Sequence, residues 1–297
     1  MRRRLVLLGA GILCSTLTIS QVKKQFSVEN NTVVQLVDLN FNVNSGRCYI
    51  KQGESDELLN VYSDQDYDSY GHSFEKNIVN DICKINLALE DTKSESLSQS
   101  ISYKMFGRSK EETDKTWKVY LTEHKDYNLN LDYRIGEAHI DLGGLSVNKL
   151  KVHTGSADVN ISYPHEQSNL IVMDTFYVKV DLGSVNVEKL NHSKAKHVIA
   201  DIGFGNLMLD FTDKTEISSH IKGSVGAGNL MIILPKEGTP VKVKIKDSWL
   251  CKVKLSDSFT KISSNTYVNA DYNETARNVL NFDLDVSMGS IIFKERN

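Results

Sequence analysis

Leu129-Asn-Leu-Asp-Tyr-Arg-Ile-Gly-Glu-Ala-His-Ile-Asp-Leu142 changes the phase of its own alternation halfway along. Before Gly136 the apolar residues hold odd positions, Leu129, Leu131, Tyr133 and Ile135; after it they hold even ones, Ala138, Ile140 and Leu142. Alternation of period two marks strands with one buried face. In a straight strand a one-residue slip would turn the whole apolar set towards water. The glycine must therefore bend or bulge the chain so that one face stays inward, which suits a residue without a Cβ.

The same exchange recurs along the chain. Leu150 and Val152 give way across Gly155 to Ala157, Val159 and Ile161, and Val178, Val180 and Leu182 give way across Gly183 to Val185 and Val187. Val198, Ala200 and Ile202 change to Leu207, Leu209 and Phe211 across Gly203 and Gly205. Gly226 and Gly228, Gly289, and an early copy at Gly46 complete the series. Successive corners in the middle of the chain lie about 20 to 28 residues apart, within the range of stacked solenoid coils. The expected fold is all-β: a parallel β-solenoid or β-roll of short strands with glycine corners, in which Ile135, Ile140, Val152 and Val159 point inward. A bulged β-sandwich is the alternative.

Around this array the chain divides into four parts. Residues 1–20 carry Arg2, Arg3 and Arg4, an apolar stretch from Leu5 to Leu17, and small or polar residues before Gln21. This is the plan of a signal peptide, and the apolar run is shorter than the roughly 20 residues that span a bilayer. Gly11, Ile12 and Leu13 fit a lipidation signal at Cys14 poorly. Residues 21–62 read as an N-terminal β segment, 63–116 as an irregular polar insertion in which Val79–Leu89 could form one strand, and 117–297 as the main array. Loss of the leader removes three arginines and no acidic residue, taking the formal charge from −3 to −6. An acidic chain without a basic stripe or a phosphate-binding glycine loop argues against a nucleic-acid partner. No other segment is apolar enough to cross a membrane.

Motifs for chemistry are sparse. Eight histidines from His72 to His220 are scattered without metal-type spacing, and no Gly-x-Ser-x-Gly elbow occurs. Asp64, Asp66, Asp68 and Glu75 fall at positions 1, 3, 5 and 12 of an EF-hand-like loop, although Ser69 stands where that loop needs glycine. The alternative is an acidic solvent loop. Asp141, Asp181 and Asp201 each stand two places before a glycine; stacked coils would align them, or they simply point outward. Cys48 and Cys83 would suit a disulfide in an oxidising compartment, or serve with Cys251 as small buried side chains. No catalytic residue, cofactor or metal is expected.

Five phrases carry a family resemblance: Trp117-Lys-Val-Tyr-Leu, the run Leu131 to Leu150, Thr154-Gly-Ser-Ala-Asp-Val-Asn-Ile, Val225-Gly-Ala-Gly-Asn-Leu-Met-Ile-Ile-Leu-Pro, and Val286-Ser-Met-Gly-Ser-Ile-Ile-Phe. Together they resemble the toast-rack, or LiaF-like, domains of bacterial envelope proteins, over Trp117–Lys294 and more loosely around Gly46. In LiaF-like regulators the module follows transmembrane helices and restrains envelope-stress signalling; related head domains are described as candidate adhesins. The resemblance implies a non-catalytic, exported domain of the periplasm or cell surface that binds or scaffolds, with an envelope protein or glycan as partner. A regulator of envelope-stress signalling and a polysaccharide-acting solenoid enzyme are the alternatives. An aromatic content of 8% offers the enzyme few sugar-stacking platforms.

Overall fold

The computed structural model describes residues 22–90, 115–164 and 167–296. The leader read at 1–20, with Cys14, and the polar residues 92–102 and 108–114 lie outside that set. The N-terminal strands are β1 (Lys23–Val28), β2 (Leu36–Val43), β3 (Arg47–Gln52), β4 (Leu59–Ser63), β5 (Gly71–Val79), β6 (Ile82–Glu90) and β7 (Thr116–Leu121). The central strands are β8 (Asp126–Tyr133), β9 (Glu137–Asp141), β10 (Ser146–Thr154), β11 (Asp158–Ser162), β12 (Met173–Val180), β13 (Ser184–Val187), β14 (Ala195–Ile202), β15 (Asn206–Asp210), β16 (Ser219–Val225) and β17 (Asn229–Pro235). The last are β18 (Val241–Lys246), β19 (Lys252–Lys254), β20 (Thr260–Ser263), β21 (Thr266–Val268), β22 (Leu280–Val286) and β23 (Ser290–Arg296).

They form two sheets around one core. Sheet one runs β1-β4-β7-β3-β9-β11-β13-β15-β17-β23-β19, and sheet two runs β20-β21-β18-β22-β16-β14-β12-β10-β8-β2-β6-β5. Each coil contributes one strand to each sheet, as β8 with β9 and β14 with β15. Neighbouring coils pair in parallel and in register, for example Val198↔Ile221 in sheet two and Leu207↔Leu230 in sheet one. Parallel stacking settles the fold as the solenoid, because a sandwich would pair hairpin-connected strands antiparallel.

The corners explain the phase change. Between Ile202 of β14 and Asn206 of β15 lie three residues, and the same holds after Val43, Tyr133, Thr154, Val180, Val225 and Val286. An odd-length corner between strands of two facing sheets moves the inward set to the other parity. The third corner position stacks from coil to coil as Gly46, Gly136, Ala157, Gly183, Gly205, Gly228 and Gly289. Its carbonyl accepts from the next coil: Asn206 N donates to Gly183 O at 3.0 Å and Asn229 N to Gly205 O at 3.0 Å. Gly46 and Gly136 have φ of +105° and +110°, where a side chain is strained.

The inward reading needs one correction. Ile140, Val152 and Val159 are buried, but Ile135 is only half-buried. It occupies the middle of a corner, as do Leu182, Phe204, Ala227 and Met288. Counting by twos through a corner carries Ile135 and Leu182 inside, whereas the turning backbone presents all five residues at the edge of the coil.

Chain order and coil order differ at both ends. The coil of β6 and β7 lies outside that of β2 and β3, and the coil of β18 and β19 lies outside that of β22 and β23. The stretch read as an irregular insertion, 63–116, therefore holds a regular hairpin, β5 and β6, with Leu87 and Leu89 in the core. Antiparallel strands then cover the ends: β5 on β6, β4 on β7, and β21 on β18. Such pairing, and the shortness of lysine-bearing β19, blunt sheet edges that would otherwise recruit further chains.

Candidate functional site

Sheet one builds a pocket on its outer face near the N-terminal end. In β3 and β7 alternation sends Cys48, Ile50, Trp117 and Val119 into the core and leaves Tyr49, Lys51, Lys118 and Tyr120 outside. Register then places Tyr120 beside Lys51, and Lys118 beside Tyr49. Antiparallel β4 adds Asn60 opposite Tyr120 and Tyr62 opposite Lys118. The segment following β3 folds over this row, with Gly53 N donating to Leu121 O at 2.8 Å. The result is an open cavity of about 480 Å³ bordered by Lys51, Gly53, Asn60, Tyr62, Lys118 and Tyr120.

Its walls are ordered by contacts among themselves. Tyr62 and Tyr120 meet edge to face at 5.6 Å, and Lys51 Nζ lies 5.7 Å from the Tyr120 ring centroid. A Cβ at Gly53 would stand 2.9 Å from Tyr120 Cβ, so glycine lets the covering segment lie against the ring. Asn60 points outward from its strand yet is 3% exposed, and its Oδ1 is buried without a hydrogen-bond partner among the described residues. Glu57 is hydrogen-bonded by Lys24 at 2.7 Å; that bond, assisted by Asn60, holds its carboxyl below the usual range. Aromatic rings, an amide, two ammonium groups and the Glu54 carboxylate in one cavity can hold a polyhydroxylated ligand.

Two histidine clusters were not visible in the sequence. His153 Nδ1 lies 2.9 Å from Asp132 Oδ2, and its Nε2 lies 2.9 Å from Asp181 Oδ2. Both bonds form together only when both ring nitrogens carry protons. Partial burial opposes that charge, but hydrogen bonds to Asp132 and Asp181 leave the His153 pKa raised above 6.5. A raised folded-state pKa gives stability that is fully present below the unfolded value of about 6.5 and lost as pH rises through the folded one. The urea midpoint of His153→Gln should therefore fall furthest below wild type in mildly acidic buffer, and the gap should close in alkaline buffer. A gap independent of pH would show that the ring is not charged in the fold.

Ser168 Oγ lies 2.8 Å from His192 Nδ1, and His192 Nε2 lies 2.8 Å from Asp213 Oδ2. This chain links the loops of three successive coils. It has the partners of a nucleophilic relay, but among the described residues the neighbouring amides, Asn169 N and Leu170 N, are spent on His192 O and Leu145 O. Lys189, 3.4 Å from Asp213, holds the same carboxylate. The arrangement is a tie between coils.

The residues singled out by sequence disperse. Asp64 Oδ1 accepts from Thr116 N at 2.9 Å, Asp66 pairs with Lys23 at 2.5 Å, Asp68 sits in an exposed turn and Glu75 on the outer side of β5. Among the described residues no group of three or more His, Cys, Asp or Glu is placed to hold a metal ion. Asp141 lies on sheet one, whereas Asp181 and Asp201 lie at sheet two, so the three share no ladder. Cys48 and Cys83 face the core from opposite sheets and are unpaired, and burial pushes the Cys48 thiol up to about 12. Cys251, expected in the core, is half-buried.

The sequence model of the N-terminal domain of toast-rack proteins (DUF2154) matches residues 18–187. The match thus includes the stretch from 63 to 116. No curated protein matches the chain. Among solved structures, a candidate cell adhesion protein from Clostridium sporogenes is similar over 93% of this chain and 99% of its own, at 14% identity and a TM-score of 0.43. A candidate adhesin from Bacteroides fragilis is similar over 92% and 97%, at 11% identity and a TM-score of 0.39.

Proposed function

Since the chain belongs to the toast-rack family, we propose that it is a non-catalytic binding module of the cell envelope, exported by residues 1–20, that holds a glycan in the cavity of Tyr62 and Tyr120. The observation that carries this reading is the cavity itself. Ring faces meet the apolar C–H side of a sugar, while Asn60, Lys51 and Lys118 meet hydroxyl and acidic substituents. The mixed sheet beneath, with β4 antiparallel and β3 parallel to β7, fixes these groups in advance, so little ordering opposes binding.

Retention on insoluble cell-wall polysaccharide tests the proposal. Wild type should be retained, and Tyr62→Ala and Tyr120→Ala should each weaken retention about tenfold, since roughly 60 Å² of ring face removed from water at about 25 cal/mol per Å² carries about 1.5 kcal/mol. No new reducing ends should appear over time. Equal retention of both variants, or time-dependent release of reducing ends, would overturn the reading.

A further inference from the structure

We propose that the corner edge at the C-terminal end of the solenoid docks onto an anionic lipid bilayer. The tyrosine cavity lies near the opposite end of sheet one, so this surface stands independently of the glycan reading. Corner midpoints on adjacent coils present Phe204, Ala227 and Met288, and the corner of the outermost coil presents Trp249 and Leu250. Phe204 is 72% exposed, Met288 59%, Trp249 90% and Leu250 50%. With coils about 4.8 Å apart, they form a ridge roughly 15 Å long rather than scattered single residues.

The ridge is rigid and its shoulders are basic. Phe204 N donates to Asp181 O and Met288 N to Gly226 O, both at 2.8 Å, and the Ser248 hydroxyl donates to Ser287 O. The stretch Val241–Lys254 carries Lys242, Lys244, Lys246, Lys252 and Lys254 against one acid, Asp247, in a chain of net charge −3. β18 places three of these lysines on sheet two and β19 places two on sheet one, so cations flank the Trp249 tip on both sides. Asp285 lies 3.0 Å from Lys246, and Asp283 faces Lys244 in register. No carboxylate pairs with Lys252 or Lys254 among the described residues.

A convex row of single apolar tips offers a protein partner no groove to fill, but it suits a bilayer surface. Tryptophan favours the headgroup level, leucine, methionine and phenylalanine reach the acyl boundary, and lysine ammonium groups stay with the phosphates. An anionic surface should strengthen binding by about fivefold per lysine that reaches it.

The chain has two tryptophans, and Trp117 is 1% exposed, so Trp249 alone can report contact with lipid. Fluorescence of the full chain is titrated with phosphatidylglycerol vesicles and, separately, with phosphatidylcholine vesicles. The expected result is a blue shift and quenching by brominated acyl chains with phosphatidylglycerol only, absent in Trp249→Phe. In Lys252→Glu/Lys254→Glu, half-maximal lipid concentration should rise at least tenfold, with far-UV circular dichroism confirming the fold. An unmoved spectrum with phosphatidylglycerol would overturn the proposal, even if residues 1–20 carry the protein to the vesicles. A shift that grows with protein concentration without lipid would assign the edge to a second copy of the chain and overturn it as well. Equal shifts with both lipids would overturn the role of the lysines.

Discussion

Gly205→Ala is expected to cost about 3 kcal/mol of folding stability, at the upper end of overpacking penalties, whereas Gly203→Ala in the same corner should cost about 1 kcal/mol or less. A Cβ on Gly205 would lie 2.3 Å from Gly183 O and 2.4 Å from Val180 Cγ1. Gly183 O is also the acceptor for Asn206 N, so relieving the clash stretches the bond that stacks one coil on the next. The nearest atom to a Cβ on Gly203 is Asp181 O at 3.2 Å, which a small shift accommodates, and the loss of unfolded-state freedom partly offsets it. Each coil touches only its neighbours, so damage in the middle of the stack separates two halves that otherwise support each other. Urea denaturation of both variants measures the difference. Equal midpoints would mean that corner crowding does not select glycine at the third position.

The solenoid was legible because its corners have an odd length. Three residues between strands convert a continuous core into a visible change of parity, and glycine marks the place where successive backbones crowd. The order of coils at the ends was not legible. β18 and β22 each alternate correctly, and nothing local states that β22, later in the chain, inserts beside β16. Of the hairpin, β6 was legible within Val79–Leu89, but β5 was hidden for a related reason: it has no fully buried residue, so its outward lysine, glutamate and asparagine read as loop. The tyrosine cavity depends on register between strands far apart in sequence, since Tyr62 and Tyr120 alternate normally in their own strands. His153 was equally invisible, because Asp132 and Asp181 reach it from adjacent coils. Sequence periodicity reports which face of a strand is wet; it does not report which wet residues become neighbours.

Asn169 illustrates the point and gives the second large effect: Asn169→Ala is expected to cost about 3–5 kcal/mol. In sequence it belongs to the polar run Gln167-Ser-Asn, which reads as solvent loop, yet its side chain is fully buried. Oδ1 accepts from Val147 N at 2.8 Å, and Nδ2 donates to Val147 O and Ile171 O, each at 2.8 Å. The amide thereby satisfies the backbone of two coils where the return loops leave their ladders. Truncation strands at least two buried backbone groups, each costing about 1–3 kcal/mol, and leaves a void between loops. Asn169→Asp separates hydrogen bonding from shape. The carboxyl keeps the acceptor for Val147 N but turns an oxygen towards Val147 O and Ile171 O, so only its protonated form fits. Its folded-state pKa should rise above the unfolded value, giving stability present at acidic pH and lost as pH climbs through the folded value. Thermal melts of the two variants between mildly acidic and neutral pH should therefore diverge, Asn169→Asp recovering on acidification and Asn169→Ala not. Parallel pH profiles for the two would show that the buried carbonyls do not depend on this donor.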